Sequence, residues 1–234
     1  MILYYDFEDV VLEAETEGGC IESLTDGVKN ILYPRTTINI DGKEKKRGGS
    51  HPCVPNFGVD NSYGLPPHGF GRDMKWDVMN KAASYSTLSL EGIEEFKDLK
   101  MLLSYEIGEH SLRMNLQLKN AGDRVLPIAP GFHPYFPTKN SYIKVHNREV
   151  NANEQMATTF FDGDVLEFET ADMIFNYKTK NCNRFAVWSD SEDYVCVEPT
   201  LNGPSFSEIV ETPYELKPDE EFEIDAVLEW KPKA

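Results

Sequence analysis

Four polar residues in apolar or turn-forming surroundings are the ones in this chain best suited to chemistry. His68 and Arg72 lie in the run HGFGR, His133 lies in GFHPYFP, and Glu198 lies in VCVEP. The flanking aromatic residues, glycines and prolines predict burial, which is costly for polar groups unless they pair with one another or with a ligand. We therefore expect the four residues to form one polar pocket, and we interpret that pocket as an enzyme site.

His133 and Glu198 are the candidates for acid–base chemistry. A histidine titrates near working pH, and in an extended segment His133 and Tyr135 would point to the same side. Glu198 is expected at the end of a strand that begins at Tyr194. Because Pro199 cannot donate to a sheet ladder, this strand should either stop or reach a sheet edge there. Apolar neighbours would raise the pKa of such a glutamate, which suits a general base. The alternatives are a core histidine with a satisfied backbone bond and a strand-end glutamate that reaches solvent.

Arginines and a second histidine are the candidates for holding a substrate. His68 and Arg72 are four residues apart, so they share a face on a strand or on a helical turn. Arg47 precedes Gly48 and Gly49, where the backbone can turn sharply and approach a ligand. Arginine is well suited to a pair of sugar hydroxyls or to a phosphate. The alternative for each arginine is a surface salt bridge, since carboxylates are abundant in this chain.

Metal and cofactor motifs are missing from the sequence. The histidines His51, His68 and His133 could share a metal ion, but none has the H-x-H or H-E-x-x-H spacing that places ligands on one element. The sequence also lacks the glycine-rich phosphate loop and the G-x-S-x-G nucleophile elbow. We therefore predict no metal and no cofactor.

Alternation of apolar and polar residues with a period of two dominates the chain. Apolar residues alternate with polar ones over 101–107 and again over 112–118, with a turn between them. This pattern predicts a β-hairpin with one buried face and one solvent-exposed face. The segment 222–230 repeats the alternation near the C-terminus.

Helical signals are weak, and they are confined to 93–103 and 151–158. We predict an all-β fold class, a large antiparallel β-sandwich with few short helices, as one domain over residues 1–234. The glycine- and proline-rich segment 41–75 breaks the alternation. Because it also contains aromatic residues, we expect it to be an ordered functional loop rather than a disordered one.

The composition excludes several classes of partner. A net charge of -17 argues against nucleic acid and against anionic membrane surfaces. No apolar run approaches the ~20 residues of a membrane span, and the N-terminus has neither a basic region nor a cleavage site. The four cysteines are widely spaced without a C-x-x-C pattern, which fits a reducing, cytoplasmic location.

In chain order, these motifs together resemble the galactose mutarotase or aldose 1-epimerase superfamily. The pieces that carry the resemblance are RGG at 47–49, HGFGR at 68–72, GFHPYF at 131–136, ADMIF at 171–175 and CVEP at 196–199. The RGG run and the tryptophan after HGFGR look most like the hexose-6-phosphate mutarotase branch. The resemblance implies a large antiparallel β-sandwich, the galactose mutarotase-like supersandwich, that needs no cofactor.

The resemblance also implies residue roles. Glu198 matches the general base that takes the proton from the anomeric hydroxyl, and His133 matches the general acid that protonates the ring oxygen. His68 and Asp172 match residues that hold sugar hydroxyls. In the phosphate-sugar branch, the positions of Arg47 and Arg72 contact the 6-phosphate.

From this resemblance we expect a mutarotase that interconverts the α and β anomers of an aldose or an aldose 6-phosphate. Its partner would be a small-molecule sugar or sugar phosphate, and the sequence leaves open whether the protein is a monomer or a homodimer. The first alternative is a catalytically inactive carbohydrate-binding or sensing protein on the same fold. The second is a β-sandwich interaction module whose histidines are structural.

Overall fold

The computed structural model describes residues 1–40, 42–58, 66–203 and 213–233. Over these residues the chain forms 23 β-strands, one α-helix and two short 3-10 helices. The strands of the first half are β1 (Ile2–Phe7), β2 (Val10–Glu15), β3 (Cys20–Asp26), β4 (Lys29–Asn30), β5 (Thr36–Ile40), β6 (Lys43–Arg47), β7 (Pro52–Cys53), β8 (Asp77–Lys81), β9 (Tyr85–Glu91), β10 (Leu99–Gly108) and β11 (Ser111–Asn120). Those of the second half are β12 (Leu126–Ile128), β13 (Gly131–Phe132), β14 (Tyr135–Pro137), β15 (Lys144–Val145), β16 (Arg148–Glu149), β17 (Thr159–Asp162), β18 (Val165–Glu169), β19 (Met173–Lys180), β20 (Arg184–Trp188), β21 (Tyr194–Thr200), β22 (Tyr214–Leu216) and β23 (Glu221–Pro232).

Three antiparallel sheets make up most of the described structure. The largest has nine strands in the order β16-β15-β18-β19-β23-β11-β10-β9-β8. A six-stranded sheet has the order β17-β20-β21-β13-β7, with β14 also paired to β21, and a four-stranded sheet runs β1-β2-β3-β4. Two further pairs, β12-β22 and β5-β6, complete the sheets. The predicted all-β class and the large antiparallel sandwich are thus confirmed.

A continuous apolar core joins the three main sheets. Leu103 of the nine-stranded sheet, Leu24 of the four-stranded sheet and Val197 of the six-stranded sheet are fully buried in the same cluster. The alternation of β10, in which every second residue is buried, explains how one face of a strand supplies this core. The hydroxyl of Tyr105 also donates to the carbonyl oxygen of Gly19 over 2.5 Å, which links two sheets.

Both predicted regions of alternation are strands. β10 and β11 form the expected hairpin, with Leu103 opposite Leu116 and the turn closed by Gly108 opposite Ser111. β23 covers the alternating C-terminal segment and pairs with β11 and with β19.

The helices are short, as predicted. A 3-10 helix spans Glu94–Phe96, and the α-helix α1 spans Ala152–Met156. Asn151 caps α1, and Glu154 completes a reciprocal capping box with it, which satisfies free amides at the helix start. Among the described residues, no helix is long and apolar enough to cross a lipid bilayer.

The segment 41–75 is more regular than its sequence suggests, which corrects the expectation of an irregular loop. It contains β6, β7 and a 3-10 helix at Gly71–Asp73. Among the described residues β6 pairs with β5 alone, in a two-stranded hairpin. Its residues, KEKKR, are all charged and mostly exposed, so the strand shows no alternation of apolar and polar residues. Residues 41 and 59–65 of this segment lie outside the described residues.

The strand β21 does not stop at Pro199 but continues to Thr200. β20 pairs with β21 through this point. On the other side the ladder is interrupted between Gly131 opposite Thr200 and Tyr135 opposite Cys196, and the carbonyl of Pro199 faces that gap. Among the described residues the missing N–H of proline therefore falls at a local edge of the sheet, the second of the two outcomes expected from the sequence.

Candidate active site

A cleft of about 910 Å³ opens over the six-stranded sheet. Five of the six predicted site residues line it, and they are Arg47, His68, Arg72, His133 and Glu198. These residues come from four separate parts of the sequence, so the fold alone brings them together.

His133 and Glu198 form the floor of this cleft. Glu198 lies inside β21, opposite Ala186 of β20, and His133 lies in the connection between β13 and β14. The His133 Nε2 atom is 3.3 Å from Glu198 Oε2, and the two residues are only 5% and 2% exposed. Glu198 therefore does not reach bulk solvent. Within the described part of the chain, His133 Nδ1 and Glu198 Oε2 have no hydrogen-bond partner.

Backbone contacts fix the position of His133. Its amide donates to the carbonyl of His51 over 3.0 Å, and the amide of Tyr135 donates to Gly49 over 2.9 Å. Gly49 has a φ of 65°, and a Cβ there would lie 1.8 Å from the carbonyl oxygen of Ile21. Only glycine fits this position, which explains the glycine that follows Arg47-Gly48.

His68 is held by the backbone of the neighbouring loop. Its amide donates to the Gly58 carbonyl over 2.8 Å, and the Gly58 amide donates to His68 Nδ1 over 3.3 Å. Because Nδ1 accepts a hydrogen bond, the neutral ring carries its proton on Nε2, which is then a donor. The ring centroids of His68 and His133 are 4.9 Å apart.

Burial dominates the electrostatics of the floor. It lowers the pKa of His133 well below the usual value, and the nearby histidines and arginines lower it further. Burial, followed by the charges of Arg72 and Arg47, lowers the pKa of His68 to about 3. Burial raises the pKa of Glu198 well above 4.5. The floor therefore favours neutral forms of these three groups.

Arg47 is anchored at the wall of the cleft. Its Nη2 atom lies 2.8 Å from Asp190 Oδ2, and its guanidinium lies 5.5 Å from the ring centroid of Trp188. The hydroxyl of Tyr194 donates to the other Asp190 oxygen. The ion pair considered from sequence is thus present, and the arginine lines the cleft as well.

Arg72 reaches the cleft from the 3-10 helix at Gly71–Asp73, and its side chain is 34% exposed. The tryptophan after HGFGR, Trp76, is fully buried in the core, where its Nε1 donates to the Gly71 carbonyl over 2.9 Å. Trp76 therefore supports the loop that carries Arg72 and does not itself line the cleft.

Asp172, which the resemblance matched to a sugar-binding residue, is not among the residues that line this cleft. It precedes β19 of the nine-stranded sheet, whereas the cleft lies over the six-stranded sheet. Its side chain is 64% exposed, and Oδ2 pairs with Lys139 Nζ over 2.9 Å. The short motif around Asp172 identified the residue in the sequence. It did not indicate that the strand after Asp172 lies in the nine-stranded sheet.

Sequence analysis missed several residues of the cleft. His51 was considered only as a metal ligand, yet its ring lies 4.9 Å from that of His133. Trp188 lines the wall, and its place beside the site follows only from the pairing of β20 with β21. Further charged residues line the cleft, namely the cations Arg35, Lys45 and Lys46 and the acidic Glu44 and Asp73. The run KEKKR at 43–47 was the available signal for this basic hairpin.

The arrangement suits proton transfer to and from two neighbouring atoms of a small polar molecule. An acid and a base lie side by side at the floor, histidine and aromatic rings form the walls, and cations lie near the opening. One group can donate a proton while the other accepts one.

Comparison with known proteins gives a family and a fold. Residues 9–186 match the sequence profile of a family described as Aldose 1-epimerase. This range includes His133 and ends before Glu198. No curated protein sequence matches the chain.

Solved structures agree with the chain over nearly its whole length. A Synechocystis protein superposes with a TM-score of 0.83 at 18% identity, covering 100% of this chain and 96% of its own. A galactose mutarotase-like protein from Lactobacillus casei gives 0.82 at 14% identity, with coverages of 99% and 100%. A galactose mutarotase related enzyme from Lactobacillus acidophilus gives 0.79 at 17% identity, with coverages of 99% and 97%. At these identities the likeness concerns the fold.

Proposed function

The chain belongs to the aldose 1-epimerase family, and from this premise we propose that it interconverts the α and β anomers of an aldose or an aldose 6-phosphate. The observation that carries the proposal is the buried pair at the floor of the cleft, with His133 Nε2 3.3 Å from Glu198 Oε2. The anomeric oxygen and the ring oxygen of a sugar are bonded to the same carbon. Two adjacent proton-transfer groups therefore match the two oxygens on which the reaction depends.

In the proposed mechanism, Glu198 accepts the proton of the anomeric hydroxyl while His133 donates a proton to the ring oxygen. The C1–O5 bond breaks and leaves an open-chain aldehyde. Rotation about the C1–C2 bond presents the other face of the carbonyl. Reclosure returns the ring-oxygen proton to His133 and the Glu198 proton to the anomeric oxygen, so that no proton is gained or lost.

This cycle needs one proton shared by the two residues, and their burial supports that state. If both residues were protonated, His133 would be a buried cation beside a neutral Glu198; if neither were, Glu198 would be a buried anion beside a neutral His133. Both states are unfavourable in a site of low polarity. With one proton, the pair always contains one acid and one base. Because the reaction runs in both directions, either residue must be able to take either role.

The other residues of the cleft are assigned to binding. The Nε2–H of His68 donates to a sugar oxygen, and the ring of Trp188 contacts the apolar side of the sugar. Tyr135 is only 4% exposed and stacks on His133, with the ring centroids 4.8 Å apart, so it supports that histidine. We assign Arg47 and Arg72 to attracting a phosphate, with the lysines of the β5-β6 hairpin nearby. A cluster of cations in a chain of net charge -17 favours an anionic substituent on the sugar.

The variant Glu198→Gln tests this proposal. It keeps the shape of the side chain and removes the base, so the rate of anomer exchange should fall by ~10²-fold or more. The rate is measured by polarimetry with freshly dissolved sugars, and circular dichroism checks the fold. The matched control is Glu167→Gln, at an exposed position of β18 outside the cleft, which should retain the wild-type rate. Turnover near the wild-type rate in Glu198→Gln would refute the mechanism.

A further inference from the structure

We propose that the floor of the cleft also binds one divalent transition-metal ion of the zinc type, held by His68, His133 and Glu198. Each of these residues presents one ligand atom, and the three atoms lie within 4.8 Å of one another. They come from the loop before the 3-10 helix, from the β13-β14 connection and from β21. Since no two of them share an element, the spacing of residues in the sequence could not reveal this site.

The distance between two of the ligand atoms already suits a metal ion. Tetrahedral zinc has bonds of roughly 2.0–2.1 Å to nitrogen and oxygen, so its ligands lie about 3.3–3.4 Å apart. His133 Nε2 and Glu198 Oε2 are separated by 3.3 Å. His68 completes the set after a shift of up to about 1.5 Å toward the pair, a movement that a side chain bordering an open cleft can make.

Unsatisfied polar atoms at the floor favour a cation. Glu198 Oε2 has no hydrogen-bond partner among the described residues, and the side chain is only 3% exposed. A buried carboxylate oxygen without a donor is costly, and a bound cation would remove that cost. In the described part of the chain, this oxygen is therefore a free acceptor atom at the floor.

The donor set selects the class of metal. Two imidazoles and one carboxylate with an open fourth position match the ligands of many zinc sites. Calcium and magnesium prefer sets made only of oxygen, and purely thiolate sites select softer ions. A metal on Nε2 of His68 requires the ring proton to move to Nδ1. That proton would replace the hydrogen bond that Nδ1 accepts from the Gly58 amide, and the sulfur of Cys53, 3.5 Å from Nδ1, offers it an acceptor.

Such a metal would compete with the sugar rather than assist it. It would bind through the same lone pairs of His133 and Glu198 that the proposed acid–base cycle uses. This consequence rests on the proposed function, whereas metal binding itself depends only on the three ligands. Removal of metal by a chelator should therefore leave the proposed activity intact.

Isothermal titration calorimetry of the metal-free full chain with Zn²⁺ tests the inference. We expect one ion per chain, with affinity at least tenfold lower in His68→Asn and in Glu198→Gln. Asparagine is chosen at position 68 because His68 has a φ of 61°, a conformation that asparagine tolerates. The matched control is His146→Asn, at an exposed histidine that also has a positive φ, and its affinity should equal that of wild type.

Thermal unfolding confirms that each variant is folded, and His133→Gln replaces either variant that is not. Absence of saturable Zn²⁺ binding by the wild-type chain would overturn the inference, as would binding that the ligand variants leave unchanged. The measurement needs no turnover. A chain that binds Zn²⁺ through these residues but does not accelerate anomer exchange would retain the metal site and lose the proposed function.

Discussion

Glu198 and Asp190 show how two carboxylates in one region acquire opposite proton affinities. Burial raises the pKa of Glu198, and no described donor offsets it. Burial also acts on Asp190, but hydrogen bonds from Arg47 and Tyr194 outweigh it and lower the pKa of that carboxyl. Asp190 is therefore a fixed negative charge that orients Arg47, whereas Glu198 can exchange a proton. Such a divergence is typical of acid–base sites.

The arginines should distinguish phosphorylated from plain sugars. In Arg72→Ala and Arg47→Ala, KM for glucose 6-phosphate should rise by about tenfold or more, because each loses a charge-assisted contact to phosphate. KM for glucose should change little in Arg72→Ala. Arg47→Ala also removes the cation that pairs with the half-buried Asp190, so the stability of this variant should fall as well. Steady-state kinetics with both sugars provides the measurement.

Arg124→Ala serves as the control, because Arg124 is 59% exposed and does not line the cleft. Equal losses on glucose and on glucose 6-phosphate in Arg72→Ala would contradict the phosphate role. They would assign the arginine to the sugar ring or to the structure of the loop instead.

The contact between the Gly49 segment and the β13-β14 connection positions His133. It joins a strand of the four-stranded sheet to the six-stranded sheet, since Ile21 of β3 also pairs with Ser50. A change of backbone position at this contact should therefore displace His133, because the His133 amide donates a hydrogen bond to the His51 carbonyl.

Gly49→Ala tests this contact against Gly27→Ala. Both glycines have a positive φ, but a Cβ at Gly27 meets nothing within 4 Å, whereas one at Gly49 lies 1.8 Å from the Ile21 carbonyl oxygen. Gly27→Ala should lower the free energy of unfolding by about 1 kcal/mol. Gly49→Ala should lower it by about 3 kcal/mol or more, because the backbone must also move. Urea denaturation measures the free energy of unfolding of both variants. Similar decreases in the two variants would show that the backbone at Gly49 moves to accept a Cβ at little cost.

Asp26 links the turn after β3 to the nine-stranded sheet. It accepts hydrogen bonds from His110 Nδ1 over 2.6 Å and from Trp230 Nε1 over 2.8 Å. Burial alone would raise its pKa, but the bonds from Trp230 and His110 lower it below 3.8. A lowered pKa in the folded state stabilises the fold above the unfolded value, and this stabilisation is lost as pH falls through the folded value.

Asp26→Asn should therefore lower the free energy of unfolding at neutral pH. The difference from wild type should stay constant above about pH 5 and become smaller below it, where Asp26 is protonated in the wild type. Chemical denaturation at several pH values gives the free energies of unfolding. A deficit that is the same at pH 3 and at pH 7 would show that the Asp26 charge contributes nothing to the link.

Across the molecule, the core that joins the three sheets has a consequence for unfolding. Since one buried cluster includes residues from all three sheets, we propose that residues 1–234 unfold as one cooperative domain. Differential scanning calorimetry should show one transition whose calorimetric and van't Hoff enthalpies agree, and a bound sugar should raise its midpoint. Two resolved transitions would contradict the single domain.

Features that depend on short-range sequence patterns were predictable from the sequence, whereas features that depend on the pairing of distant strands were not. The β10-β11 hairpin follows from alternation, and the burial of His133 follows from its aromatic neighbours, because both are short-range properties. The continuation of β21 through Pro199 depends on a gap in a partner ladder. The position of Asp172 outside the cleft lining and the omission of Trp188 have the same cause, since a strand's sheet is set by its distant partners.

The most direct test of the proposed function is the exchange between α and β anomers at equilibrium, followed by NMR with the wild-type chain. Glucose, galactose and glucose 6-phosphate are compared at increasing protein concentration. The account predicts that the exchange rate of at least one of these sugars rises in proportion to the protein concentration. Saturable binding of a sugar with exchange at the rate of buffer alone would contradict it, and would identify the protein as a carbohydrate-binding or sensing member of the family.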